Sequence, residues 1–284
     1  MRGGQWQSLA LHEGLLARGV DSLLFARPDS PLSATAATRN LPVRPLSFLE
    51  VWRESRRANV VHAHDAHSHT IAALAGAAPL VVSRRVAFPI KQSGLSVWKY
   101  KRAALFLAVS EYARQQLIRG GVPAERTRVV YDGVDALPPP VDRRNVVALQ
   151  SDDPGKCGDL IRAAAAEGGF SVDFSEDLPA AFLHARLFLY LSESEGLGSA
   201  ALLAMSAGIP VVASKLPALA EVVEHGVTGL LVDNNPSAVA QAVRGLMADE
   251  ALCETLGSAG QQRVESRFRM EHMVENTLAA YQSI

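Results

Sequence analysis

Short apolar or β-branched runs alternate with longer stretches of helical periodicity along the whole chain, the pattern that βαβ units and parallel sheets leave in a sequence. In the first half the runs predict strands near Ser22–Ala26, Val60–Ala63, Leu80–Ser83, Phe106–Ser110 and Arg128–Tyr131. In the second half they predict strands near Asn145–Leu149, Phe170–Phe174, Leu187–Leu191, Pro210–Ala213 and Thr228–Val232. Between the two sets lies Gly133-Val134-Asp135-Ala136-Leu137-Pro138-Pro139-Pro140, whose prolines fit neither a helix interior nor a central strand and so mark a linker. A helical pattern from about Ser258 to Tyr281 is long enough to leave the second domain and pack back on the first. The expected architecture is α/β, two Rossmann-like doubly wound domains facing a cleft. The first spans residues 1–135 with a returning helix at about 268–284, and the second spans 142–267. Ligands of such sheets bind beyond the carboxyl ends of the strands, so the loops that directly follow strands carry the candidate chemistry.

Length and composition agree: 284 residues, 48% hydrophobic and 20% charged, supply two cores and exclude a disordered or fibrous chain. The best apolar run, Ile71 to Val82, ends at Ser83-Arg84-Arg85, short of the ~20 residues of a spanning helix. Two cysteines, Cys157 and Cys253, are too few for a disulfide framework, and the start has no basic segment followed by an apolar one. A cytoplasmic chain is expected, with membrane association left open. The net charge of −1 conceals an asymmetry, since residues 1–140 hold 18 Lys and Arg against 10 Asp and Glu while residues 141–284 hold 10 against 19. Two readings stand side by side: solubilising surfaces of opposite sign, or a basic half that faces an anionic substrate or makes peripheral contact with a membrane. Nucleic acid is not an expected partner of a chain with pI near 6.7.

Five segments carry candidate chemistry. Gly3-Gly4 precedes a helical pattern from Ser8 to Arg18, where glycine permits close backbone approach to an anion. Val60-Val61-His62-Ala63-His64-Asp65-Ala66-His67-Ser68-His69 sets four imidazoles and a carboxylate at a strand end, read as a polar substrate-facing loop in preference to a metal site, with His62 open to a structural role. Ser83-Arg84-Arg85, with Lys91, Lys99, Lys101 and Arg102 after it, is either an anion-facing loop or a solvated basic face. Asp152-Asp153-Pro154-Gly155-Lys156 is expected at the N-terminus of a helix running to Glu167, with the aspartates as caps and Lys156 placed for phosphate oxygens. The strongest local signal is Ser192-Glu193-Ser194-Glu195-Gly196-Leu197-Gly198-Ser199, a strand end and two-glycine turn before the small-residue helix Ala200 to Ala207.

The run from Leu187 to Val232 resembles the carboxyl-terminal domain of the family-four retaining glycosyltransferases of the GT-B fold. It carries a strand, Ser-x-x-Glu-Gly-x-Gly, a helix, Gly208-Ile209-Pro210-Val211-Val212-Ala213-Ser214, then Glu221-Val222-Val223 and a glycine-bounded strand. In the first half, Gly3-Gly4, Val60 to Asp65, Ala108-Val109-Ser110-Glu111 and Val129 to Asp135 resemble the same family, so the likeness takes in most of the chain.

The resemblance implies a metal-independent enzyme without a resident cofactor, whose co-substrate is a nucleotide-diphosphate sugar. The acceptor would be a glycan, lipid-linked or small-molecule hydroxyl, and transfer would follow a front-face route. By this likeness Lys156 contacts the donor diphosphate and Glu195 the sugar hydroxyls, as the catalytic pair. Gly3, Gly4, Ser192, Gly196, Leu197, Gly198 and Leu203 line the donor side, and His64, Asp65, His67, Arg84 and Arg85 the sugar or acceptor side. The chain departs from the family at four points. Leu203 stands where a ribose-gripping glutamate is usual, Arg84 where a histidine is, and Ser151 where a diphosphate arginine is. Only thirteen residues separate Lys156 from Phe170, and the chain opens where a first strand would already have ended, as in a pared-down or truncated member. The alternative is a degenerate, non-catalytic GT-B module that binds sugar or nucleotide or supports a partner.

Overall fold

The computed structural model describes residues 3–76, 78–86, 88–90 and 93–284, and these divide into two compact units. Unit one holds the chain up to Gly133 together with Met270–Ile284, and unit two holds Val134–Arg269. Lys91 lies outside the described residues.

In unit one the order is α1 (Gly3–Ala17), β1 (Leu24–Ala26), α2 (Pro31–Thr38), β2 (Val43–Pro45), α3 (Phe48–Ser55), β3 (Val61–Ala63), α4 (Ala66–Ala75), β4 (Leu80–Arg84), α5 (Gly94–Arg102), β5 (Leu105–Ala108), α6 (Glu111–Arg119) and β6 (Thr127–Val129). β3, β4, β5 and β6 form a parallel sheet in that order, and β1 and β2 form a separate parallel pair. All of Leu105–Ala108 is buried, as expected of a strand covered on both faces. Leu11 and Leu15 of α1, Val81, Leu105 and Leu107 share one core with Met273 and Val274.

Unit two continues with β7 (Asn145–Leu149), α7 (Gly158–Gly168), β8 (Val172–Ser175), α8 (Leu178–Phe182), β9 (Ala185–Tyr190), α9 (Ser199–Ser206), β10 (Val211–Ser214), α10 (Pro217–Val222), β11 (Gly229–Val232), α11 (Pro236–Ala248) and α12 (Glu250–Arg267). Its five strands are parallel in the order β11-β10-β9-β7-β8. The chain therefore winds one way from β7 to β8 and the other way from β9 onward, which makes the gap between β7 and β9 the topological switch point. Val146, Leu187, Leu189, Val212, Val239, Val243 and Leu246 fill the core between this sheet and its helices.

All ten expected strands are present, with ends displaced by up to two residues. β2 is additional: three residues that follow Pro42 and end in Pro45 carry no legible alternation. The expected single helix from Ser258 to Tyr281 is instead two, α12 and α13 (Met270–Tyr281). Phe268 leaves helical geometry at φ −125°, buries its ring, and turns its carbonyl to the Val134 amide at 2.9 Å. No proline or glycine marks that break. α13 packs on α1, where Gly14 faces Val274. The first helix begins at Gly3, so the two glycines form its first turn where a turn ahead of it was expected.

Two helical glycines allow a test of packing against propensity. A Cβ on Gly257 of α12 would stand 2.2 Å from the Gly208 carbonyl oxygen, a backbone atom that cannot swing aside, whereas Gly245 of α11 faces open space. Gly257→Ala is expected to destabilise the fold by about 1–3 kcal/mol. Gly245→Ala is expected to stabilise it by up to about 1 kcal/mol through helix propensity alone. Denaturant unfolding of both variants checks the contrast.

Candidate functional site

In unit two the loops after β7 and β9 emerge on either side of the switch point. The β7 loop closes in a 3₁₀ turn, Pro154–Lys156, capped by Asp153, whose carboxylate accepts from the Gly155 amide at 3.0 Å. Cys157 then takes a left-handed conformation at φ 52° before α7 begins at Gly158. This corrects the expectation that Lys156 and the paired aspartates open the long helix. The cap serves the preceding turn, because Pro154 and Gly155 tighten the chain before the helix starts. Lys156 is thereby aimed across the gap, and its ammonium donates to a carboxylate oxygen of Glu195.

Glu195 also accepts the Tyr190 hydroxyl at 2.7 Å, and the ammonium lies 3.4 Å from that hydroxyl and 5.3 Å from the centre of its ring. With side chains 23% and 11% exposed, Lys156 and Glu195 form a largely desolvated pair. Burial, followed by the Glu195 charge, raises the Tyr190 phenol well above its usual range, so it remains a donor at neutral pH.

A second layer of hydrogen bonds ties the loops together. The amide of the buried Ser192 donates to Ser214 Oγ at 2.8 Å, and its hydroxyl donates to the Gly155 carbonyl at 3.0 Å. Ser214 donates to Asn234 Oδ1 at 2.6 Å, and Asn234 returns a bond from Nδ2 to the Ser192 carbonyl at 3.0 Å. The Glu193 amide donates to the Gly155 carbonyl at 2.9 Å. The loops after β7, β9, β10 and β11 are thus cross-linked beneath Lys156 and Glu195. Tyr190, Ser214 and Asn234 were not singled out from the sequence. Ser214 ends a recognisable motif, but Tyr190 reads as strand core and Asn234 as part of a turn.

The Gly196–Gly198 segment leads into α9. Leu197 is buried, and Gly198 caps the helix at φ +109°, where a Cβ would meet Leu219 Cδ2 at 2.5 Å. Both the backbone angle and the space demand glycine. Leu203 lies one turn into α9, half-buried.

In unit one the candidates divide into two groups. Arg85 reaches back to Asp132 just beyond β6, in an ion pair whose side chains are 13% and 9% exposed, and its stem lies against Gly4. His62, Ser83, Arg85, Asp132 and Thr277 line a small internal pocket. Gln7 secures the start of α1 there, donating to the Gly133 carbonyl at 2.8 Å. Arg84 points elsewhere, to the Tyr100 hydroxyl and the Phe88 carbonyl, so Arg85 is the arginine that shares surroundings with Gly4.

The histidine run is dispersed. His62 contacts the Tyr281 hydroxyl at 2.7 Å and the Ser83 hydroxyl at 2.9 Å, using both ring nitrogens. His64 lies against it with ring centres 4.1 Å apart and planes tilted by 37°, and keeps Nδ1 buried without a hydrogen-bond partner among the described residues. His69 bonds the Lys99 carbonyl at 3.1 Å, His67 is exposed, and Asp65 caps α4 by accepting from the His67 and Ser68 amides. Among the described residues no group of three His, Cys, Asp or Glu is arranged to hold a metal ion.

Desolvation lowers His62 to about 3 and His69 to about 4, and holds His64 well below its usual range. For His62 the unfolded chain, near 6.5, binds a proton before the folded one, so its contribution is complete above about pH 6.5 and is lost on acidification toward about pH 3. The expected slope is about 1.4 kcal/mol per pH unit for one proton. Unfolding free energies of wild type and His62→Gln measured across that window check this, the variant lacking the increment.

Two family models match the sequence: "Glycosyltransferase Family 4" over residues 1–136 and "Glycosyl transferases group 1" over residues 169–263. Among curated proteins, a putative glycosyltransferase, YtcC, of Bacillus subtilis is 33% identical over 113 residues, which cover 39% of this chain and 28% of that protein. N-acetyl-alpha-D-glucosaminyl L-malate synthase of Bacillus anthracis is 32% identical over 99 residues, 34% of this chain and 26% of that one. The aligned stretch therefore spans about a quarter of the length of these relatives. Among solved structures, Anabaena HepE in complex with UDP and glucose superposes with a TM-score of 0.88 at 19% identity, covering 100% of this chain and 96% of that one, a likeness of fold. With two parallel Rossmann-like sheets, the glycine-capped α9 and both family models in agreement, the chain belongs to the family-four glycosyltransferases of the GT-B fold.

Proposed function

We propose that this chain transfers a sugar from a nucleotide-diphosphate donor to a hydroxyl acceptor with retention of configuration, in the synthesis of a glycan or cell-envelope polymer. The observation that carries the reading is the Lys156–Glu195–Tyr190 cluster at the switch point of unit two. Sugar transfer from such a donor develops negative charge on a departing diphosphate and oxocarbenium character on the sugar. A fixed cation in a largely desolvated setting offsets the first without a metal or other cofactor, and Lys156 has three N–H donors, enough for Glu195 and phosphate oxygens together. The positive end of α9, beyond Gly198, adds a second favourable potential. Glu195, held by Tyr190, keeps lone pairs for sugar hydroxyls. Similarity to HepE, whose structures hold UDP, glucose and UDP-glucose, supports a nucleotide-sugar donor. Family membership supports retention. On the other unit, Arg85, His64, Asp65 and His67 are assigned to the sugar or acceptor side.

Lys156→Ala and Glu195→Ala are each expected to lower turnover about 100- to 1,000-fold. Each also leaves a partner charge without its mate, so each is expected to cost about 1–3 kcal/mol of stability. The assay is sugar transfer or donor hydrolysis over a panel including UDP-glucose, below the melting temperature of each variant. Full activity in both variants overturns the site. Nucleotide binding by thermal shift with no turnover of any donor favours the non-catalytic module.

A further inference from the structure

The loops that follow the five strands of unit two carry seven Asp or Glu, and their only Lys or Arg are Lys156 and Lys215, which are also the only lysines of that unit. Lys156 is committed: Glu195 accepts from its ammonium, so the pair brings no net charge to the switch point. Lys215 is exposed, and among the described residues its ammonium has neither an ion pair nor a hydrogen bond, although Glu193 and Asp233 stand exposed on the loops after the two flanking strands. Its backbone is fixed. The Lys215 amide donates to the Val232 carbonyl at 2.8 Å, continuing the β10–β11 ladder one residue past β10, and the Leu216 amide turns back to the Ser214 carbonyl at 2.8 Å. Ala213 pairs with Tyr190, and side chains alternate across a sheet, so Lys215, two residues past Ala213, faces the same side as Tyr190. At ordinary strand spacing its Cα lies about 8 Å from that of Tyr190, a separation that long side chains span. Four residues on, Leu219 fills the space that a Cβ on Gly198 would take, which seats this segment beside the turn into α9.

We propose, resting on the donor reading above, that Lys215 is a second donor-binding cation, which together with Lys156 holds the diphosphate of the nucleotide sugar at the carboxyl ends of β7, β9 and β10. Charge balance carries the assignment. The diphosphate of such a donor brings two negative charges among loops that are already acidic, and Lys156, cancelled by Glu195, does not offset them alone. A further ammonium with three N–H donors reduces the repulsion and supplies bonds to the phosphate oxygens. Within unit two no other Lys or Arg stands at those strand ends, so the part falls to Lys215. When the bond from the sugar to the phosphate oxygen breaks, its electron pair stays on the diphosphate, whose negative charge grows by one. The Lys215 contact therefore strengthens as the sugar departs and favours the transition state over the bound donor.

The test titrates the whole chain with UDP, ADP, GDP and inorganic pyrophosphate in a calorimeter, with the matching nucleosides as controls. Lys215→Ala is expected to weaken the tightest-bound nucleoside diphosphate, and pyrophosphate with it, about tenfold or more. It should also flatten the fall of affinity with added salt and leave nucleoside binding unchanged. Lys215→Arg is expected to keep most of the affinity. The side chain is exposed, so both variants should melt at the wild-type temperature. Diphosphate affinities of Lys215→Ala within about twofold of wild type overturn the proposal, and if Lys156→Ala loses binding in the same experiment the donor reading stands without it. An equal loss of nucleoside binding also overturns it, by placing Lys215 on the base or in the fold. A wild-type chain that binds neither a nucleoside diphosphate nor pyrophosphate overturns both the proposal and the donor reading.

Discussion

A parallel strand buried on both faces has no side available for water, so polar function is confined to the loops beyond its end. Leu105–Ala108 and Val211–Ser214, buried at every position, impose this constraint in the two units. The placement of the charged candidates follows from it. Lys156 and Glu195 leave the second sheet where the winding reverses, and His64, Arg85 and Asp132 leave the first sheet beyond β3, β4 and β6. Two largely desolvated ion pairs, one per unit, stand at those ends.

The strands were legible because runs such as Asn145–Leu149 and Leu105–Ala108 are continuous, apolar and bounded by turn residues. β2 was not, since Val43–Pro45 gains its pairing from β1 and carries no pattern of its own. The division of the last helical pattern was hidden for another reason: Phe268 is apolar at a position that continues the periodicity, and only the core it enters turns it out of the helix.

The candidate site was legible where a glycine or a charge stood at a strand end, as at Gly198, Lys156 and Glu195. It was not legible where a residue acts by geometry. Tyr190 resembles any buried aromatic until its hydroxyl is seen on Glu195, and Asn234 resembles any turn residue until both ends of its amide are found occupied. The four histidines show the converse. Their clustering in sequence suggests one site, but His62 is held in β3 while α4, starting after Asp65, carries His67 and His69 to other surroundings.

Because Ser192, Ser214 and Asn234 close their bonds within the sheet's own loops, those loops surrender their freedom when the chain folds. Ordering such segments costs about 1–2 kcal/mol of backbone entropy per residue. A molecule arriving at Lys156 and Glu195 meets a surface already set, so little of its interaction energy is diverted into arranging the protein. Rigidity there favours discrimination by shape over adaptation to many shapes.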